Sequence, residues 1–346
     1  MTKRTKVVLA LALCLAFAMS ACALPSPVPV ADGSPAVASD FTPSTGAAQQ
    51  SSGGYVVETT DMAGNAIRLS VYPERIVVLD PANCEILYAI GAGENVVGRS
   101  ISCDYPAEVN YLPYATADGR NDPDLVLLRE PQVVIMGAED AADADLVSAL
   151  ASAGVITVVT NVTDVNNMYG AISLLGMITN RTAEANALVS QLITAIAAMQ
   201  TKISAHSETV YLELTPLADG LSTLGNGTIF SSLLSLLGFR NEFEDQSGII
   251  SVTQDQVVGR SPNVILTVSR DRSTDEADPD ATPDPAGATL SGPAEILARS
   301  EWQEVNAVKS NRVYYIDAAL ITRAGPRILE GINALYTALY EGRQPE

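Results

Sequence analysis

Short apolar runs alternate along this chain with stretches of helical periodicity. Residues 75–79 (RIVVL), 132–136 (QVVIM), 155–160, 210–214, 263–268 and 312–316 are five or six residues long and mostly apolar. Strands covered on both faces in a parallel sheet look like this. Residues 96–98 predict a shorter strand, and 58–69 a hairpin turned by Ala63-Gly64-Asn65. Between the runs, helices are predicted from Pro81 to about residue 90, over 141–153 up to Gly154, over 228–237 up to Gly238, and over 326–340 with Pro326 in the first turn. Strand and helix in alternation imply parallel sheets with right-handed crossovers.

The middle of the chain breaks that alternation. From residue 165 to about His206 the apolar positions follow helical spacing, as Met168, Ile172 and Leu175, then Ala185, Leu188, Leu192, Ile196 and Met199. A polar turn at 179–182 divides the stretch, leaving a second helix of about 23 residues and about 35 Å, long enough to act as a spine between two lobes. On either side of it one pattern recurs. Asp124, Val126, Arg129 and Pro131 before an apolar run are matched by Asp255, Val257, Arg260 and Pro262 before another. Each copy predicts an Asp near a helix N-terminus, two turns of helix, a proline break and a buried strand. The two Asp residues serve either as caps or as a pseudo-symmetric pair of acidic knobs.

The first residues stand apart from the fold. Lys3, Arg4 and Lys6 precede 13 uncharged residues from Val7 to Met19, the layout of a secretory signal and too short to span a bilayer. Met19-Ser20-Ala21-Cys22 resembles a bacterial lipobox, with Cys22 as the residue lipidated after cleavage. Residues 23–54 are rich in Pro, Ser, Ala and Gly, which predicts a flexible stalk. The 292 residues from Tyr55 onward suffice for two domains.

Charge narrows the partners. The chain carries 20 Lys+Arg against 40 Asp+Glu, and loss of residues 1–21 removes three basic residues and no acid, leaving a net charge near −23. Nucleic acid and anionic membrane both reward basic patches, so this balance argues against either as the main partner. An acidic, Pro-rich insertion at 271–290 lacks the Gly and spacing of a calcium loop and reads as a solvated loop. Of the four cysteines, Cys84 and Cys103 remain in the exported part, and their pairing stays open.

Catalytic signatures are missing. His206 is the chain's one histidine, which removes most hydrolytic triads and His-rich metal cages; at the end of the long helix it reads as an exposed surface residue. Gly91-Ala92-Gly93 follows a helix rather than a strand and has no third glycine at dinucleotide spacing. There is no P-loop and no nucleophile elbow. The pattern favours binding over catalysis, with no cofactor.

Thr60-Asp61-Met62-Ala63-Gly64, Pro81-Ala82-Asn83-Cys84-Glu85, Gly91-Ala92-Gly93, Cys103-Asp104-Tyr105-Pro106, the Pro131 and Pro262 repeats, Trp302, Arg312-Val313-Tyr314 and Gly325-Pro326-Arg327 together resemble the iron-siderophore/vitamin B12 class of ABC-importer binding proteins. The resemblance implies an α/β fold of two Rossmann-like lobes joined by a single long helix, the class III periplasmic-binding-protein fold. It divides the chain into a signal (1–21), a lipidated cysteine and linker (22–54), an N-terminal lobe (55–180), an interlobe helix (181–206) and a C-terminal lobe (207–346). It also implies little hinge motion, ligand contacts at Asn83, Ser102, Tyr105, Asn226, Ile249 and Arg323, and docking to an ABC permease and its ATPase through Asp124 and Asp255. The family usually has Glu at those two positions. The protein it implies is an extracytoplasmic monomer held to the membrane by its lipid.

Residues 103–108 look most like the cobalamin-binding branch, which puts a corrinoid first among ligands. Ferric siderophore and haem are the alternatives, and a lipid-anchored sensor without a transport role is the other kind of function. Known corrinoid binders of that branch grip the macrocycle with aromatics, including a second-lobe tryptophan. The matching stretch here is Gly248-Ile249-Ile250. Tyr105, Tyr111 and Tyr114 are the first-lobe aromatics that could face a cleft, and Arg323 and Arg327 are the cations an anionic siderophore would need.

Overall fold

The computed structural model describes residues 55–270 and 292–345; the signal, Cys22, the linker and the acidic insertion lie outside them. A hairpin of β1 (Val57–Thr60) and β2 (Ala66–Leu69) leads into the first α/β lobe. That lobe contains β3 (Ile76–Val78), α1 (Pro81–Ala89), β4 (Val96–Arg99), α2 (Pro123–Leu127), β5 (Val133–Gly137), α3 (Ala144–Ser152) and β6 (Ile156–Thr160). Helices α4 (Val165–Ile178) and α5 (Thr182–Gln200) follow. The second lobe runs through β7 (Thr209–Glu213), β8 (Ser222–Leu224), α6 (Ile229–Leu236), β9 (Arg240–Asn241), β10 (Ile249–Ser251), α7 (Gln254–Arg260), β11 (Val264–Thr267), β12 (Val313–Tyr315), α8 (Ala318–Thr322) and α9 (Ile328–Tyr340).

The two main sheets are parallel and share one topology. The first has the order β4-β3-β5-β6 and the second β9-β7-β11-β12. Numbered within each sheet, both orders are 2-1-3-4. The central strands β3 and β11 are buried along their whole length, which is why their sequences are apolar without alternation.

Local chemistry sets the helix starts. Asp80 caps α1, accepting from the Asn83 amide at 2.9 Å with Pro81 in the first turn. Asp143, Asp164 and Thr228 cap α3, α4 and α6 in the same way. Thr253 and Gln256 form a reciprocal capping box on α7.

One hydrophobic cluster runs through both lobes, from Val57 and Ile76 through Met168, Ile172 and Leu192 to Leu233, Leu266 and Leu335. Smaller clusters around Val134 and around Trp302 cover the far faces of the two sheets. A core continuous across the lobes opposes wide hinge opening, in contrast to domains joined by a thin, polar interface.

Helix α5 is shorter than its periodicity predicts. It ends at Gln200 after 19 residues, about 28 Å, rather than near His206. His206 is not an exposed helical residue either: it is half-buried, its amide donates to the Gly238 carbonyl at 2.8 Å, and its ring stacks on Phe239 at 4.6 Å. Aromatic packing pulls this segment out of the helix and hands the chain into β7.

Candidate ligand-binding cleft

The carboxyl ends of β3, β5 and β6 open onto a cleft of about 1270 Å³. Its first wall is built from Leu79 and Asp80 after β3, Gly137 and Ala138 at the end of β5, and Thr160 and Asn161 at the end of β6. In an open parallel sheet of order 2-1-3-4, the strand order reverses between the first and third strands, and the crevice at such a reversal is where ligands bind. Here those strands are β3 and β5. The second lobe closes the opposite side with Leu214, Leu224, Gly227, Thr228, Ile229, Gly248 and Ile249, and Thr322 and Ala324 complete it.

The first wall is acidic. Asp80, Glu139, Asp140, Asp143 and Asp145 line it, against one cation, Arg120. Burial pushes the Asp80 carboxyl up to about 6, partly offset by the hydrogen bond from the Asn83 amide. Asp140 is likewise raised by burial, while accepting from the Gly137 amide at 3.2 Å and from Asn121 at 2.6 Å. Asn83 sits beside them with its side-chain amide locked to the Thr160 hydroxyl at 2.8 Å. Among the described residues, the opposite wall carries no charged side chain.

At the edge of the cleft two C-terminal arginines grip the N-terminal lobe. Arg327 makes a bidentate contact with Glu85 of α1, at 2.7 and 3.2 Å, and its guanidinium lies 4.1 Å from the Tyr105 ring centre. Arg323 reaches Glu85 at 3.3 Å, Asp104 at 2.5 and 3.2 Å and the Ser102 carbonyl at 3.3 Å. The Arg323 hydrogen bond holds the Asp104 carboxyl below its ordinary range. Gly325 makes room for this clamp, since a Cβ there would stand 3.1 Å from the Glu85 carboxylate.

Residues 76–320, most of the folded region, match the family model described as periplasmic binding protein. The chain belongs to that family. This binding protein is 28% identical to an uncharacterised ABC-transporter substrate-binding lipoprotein of Bacillus subtilis, over 85% of its own length and 88% of the relative's. It is 23% identical to a cobalamin-binding protein of Halobacterium salinarum, over 83% and 74%. Among solved structures it superposes on the vitamin B12 binding protein BtuF of Vibrio cholerae with a TM-score of 0.64 at 21% identity, covering 78% of this chain and 97% of that one. It superposes on the haem-binding protein HutB of the same organism with 0.62 at 20%, covering 77% and 99%. These likenesses establish the class III fold and a solute-binding family rather than an enzyme family; they do not decide among ligands.

Against that fold, the residues expected to meet ligand fall into three places. Asn83, Ser102 and Ile249 line the cleft, Ile249 with 63% of its surface exposed. Tyr105 and Arg323 sit in the clamp, and Ser102 reaches it through its carbonyl. Asn226 is exposed and adjoins the lining residue Gly227, its side chain turned back onto the Gly227 amide at 2.8 Å. Tyr114 lies under the Arg99 guanidinium at 4.4 Å and Tyr111 is 91% exposed; neither lines the cleft. Cys84 and Cys103 are free and buried, and the Cys103 thiol is held protonated by its hydrogen bond with Cys84 and by burial.

Asp124 and Asp255 occupy the same local position. Each is exposed and is the second residue of its helix, after the caps Asp122 and Thr253. Neither is therefore itself the cap. Behind them Val126 and Val257 are both fully buried.

Sequence reading overlooked Asp80 and the acidic wall. The Asp-Pro pair that opens α1 was a usable signal for a cap at the end of a strand, hence for a residue at the mouth of the sheet.

Proposed function

We propose that this binding protein is the lipid-tethered receptor of an ABC importer, and that it captures a corrinoid between its lobes and delivers it to the permease. The observation that carries the ligand assignment is the cleft's size together with its lining. At about 1270 Å³ it exceeds the roughly 300–1,000 Å³ of ordinary small-molecule sites, which suits a macrocyclic chelate. Among the described residues that line it there is no Tyr, His, Met, Cys or Lys. Haem iron takes such an axial ligand from its protein, whereas the cobalt of a corrinoid arrives with its axial positions already filled, by its own nucleotide base or by small ligands such as cyanide and water. Relatives named as cobalamin-binding support the same choice.

Cys22 supplies the tether and residues 23–54 the reach to the permease. Asp124 and Asp255, one on each lobe and in the same helical frame, present carboxylates to cationic partners on it. Paired charges of this kind set register and encounter rate more than raw affinity.

Two measurements test the reading. Calorimetry should show cyanocobalamin and cobinamide binding in the micromolar range or tighter; affinities of millimolar or weaker for both, about −4 kcal/mol, remove the corrinoid. In cells, Asp124→Ala with Asp255→Ala should abolish uptake while ligand affinity stays within about twofold, since both side chains are exposed and away from the cleft. Undiminished uptake would leave a sensor role instead.

A further inference from the structure

The two walls of the cleft differ in charge. Among the described residues, five carboxylates and one guanidinium stand on the first, while the second offers apolar and hydroxyl groups. Arg323 and Arg327 stand close by, and the Arg323 charge reaches Asp80, but both are paired with Glu85 or Asp104 and neither lines the cleft, so they offset the wall only in small part. The N-termini of α1 and α3, which would otherwise lend partial positive charge, are already met by the capping carboxylates of Asp80 and Asp143. A concave site lined by one sign of charge concentrates ligands of the opposite sign and repels its own.

Resting on the corrinoid reading, we propose that the cleft selects by charge. It takes a corrinoid with net positive charge, one that lacks the phosphodiester-bearing nucleotide loop, in preference to the complete, overall neutral cobalamin. It rejects chelates of similar size that carry carboxylates. The cationic metal centre faces the Asp80–Asp145 wall, and the ring's alkyl edge faces Leu214, Leu224 and Ile249. Thr228 caps α6 on that side with a neutral hydroxyl, so the partial positive charge of that helix end remains to meet amide carbonyls of the ligand.

The test is calorimetry on the folded protein with three probes: aquocyanocobinamide, which is cationic, cyanocobalamin, which is neutral, and haem, which is anionic through its two propionates. Each is titrated into the wild type and into Glu139→Gln/Asp145→Asn. Both substituted side chains are exposed, and neither is a helix cap, so the fold is unaffected. Cobinamide should bind at least about tenfold more tightly than cobalamin. That advantage should shrink by about fivefold in the double variant, and shrink as well at ~1 M salt, where the screening length falls to about 3 Å. Cobalamin or haem binding as tightly as cobinamide, or a ratio indifferent to both the substitutions and salt, overturns the charge selection while leaving the receptor reading in place. Failure of all three probes to bind overturns the corrinoid reading and this inference with it.

Discussion

At the scale of single residues, Asp80 shows how site and stability conflict. Its carboxylate caps α1 and lines the cleft, and burial pushes its pKa up to about 6. An unfolded aspartate titrates near ~3.9. Between those values the folded state holds more protons than the unfolded one, so this group's contribution to stability falls as pH rises through the interval and stays lost above it. Asp80→Asn keeps an oxygen for the Asn83 amide and removes the charge. The variant should be more stable than the wild type by about 1–2 kcal/mol at pH 7.5 and nearly equal to it at pH 4, read by denaturant unfolding at the two pH values. A gain that did not depend on pH would mean that Asp80 is not the titrating group. None of this was visible in the sequence, where Asp80 is one of 40 acids. Burial at the mouth of a sheet distinguishes it, and burial there depends on which strands become neighbours.

At the scale of elements, the chain is most legible where its neighbours are local. The unbroken apolar runs became the central strands, and the polar turn at 179–182 does separate α4 from α5, with Asn180 at φ 52° between them. The antiparallel pair β8–β10 was missed. Its strands are three residues each, drawn from positions 222–224 and 249–251, too short for a period to show. Glycines mark another limit of sequence reading, because their roles depend on what lies opposite. Gly170, inside α4, has open space where a Cβ would go, and Gly170→Ala should stabilise by about 0.5–1 kcal/mol through helix propensity alone. Gly331, inside α9, has the Leu320 carbonyl oxygen of α8 2.0 Å from that point. Gly331→Ala gains the same propensity but must push α8 away, an overpacking cost of about 1–3 kcal/mol that outweighs it. The expected result is a melting temperature raised in the first variant and lowered in the second; a rise in both would show that propensity, not the α8–α9 approach, governs both sites, and a fall in both would remove the propensity argument at Gly170.

For the whole molecule, the question is what keeps two similar lobes at one separation. A shared apolar core provides most of it, and the Glu85–Arg323–Arg327 clamp fixes the edge of the cleft with residues some 240 positions apart in the chain. Arg323 was expected to meet ligand; its partner was unreadable because nothing local links positions 85 and 323. The Glu85 side chain is 2% exposed and the arginines about 15%, so the pair lies between the surface and buried regimes. Removing one partner of a fully buried pair costs about 3–5 kcal/mol, chiefly by stranding the other charge. With arginines that retain some water, Glu85→Gln should cost about 2–3 kcal/mol in denaturant unfolding. A cycle with Arg327→Met should return a coupling above about 1 kcal/mol. The same substitution should act on ligand. Without the Glu85 charge the clamp becomes more positive beside an acidic cleft, although Arg323 keeps its contacts with Asp104, so cobinamide should bind more weakly while cobalamin changes little. Loss of both ligands in equal measure would mean that Glu85 governs the spacing of the lobes alone; an unchanged affinity for each, with stability intact, would mean that the clamp does neither, and that the continuous core holds the cleft open without it.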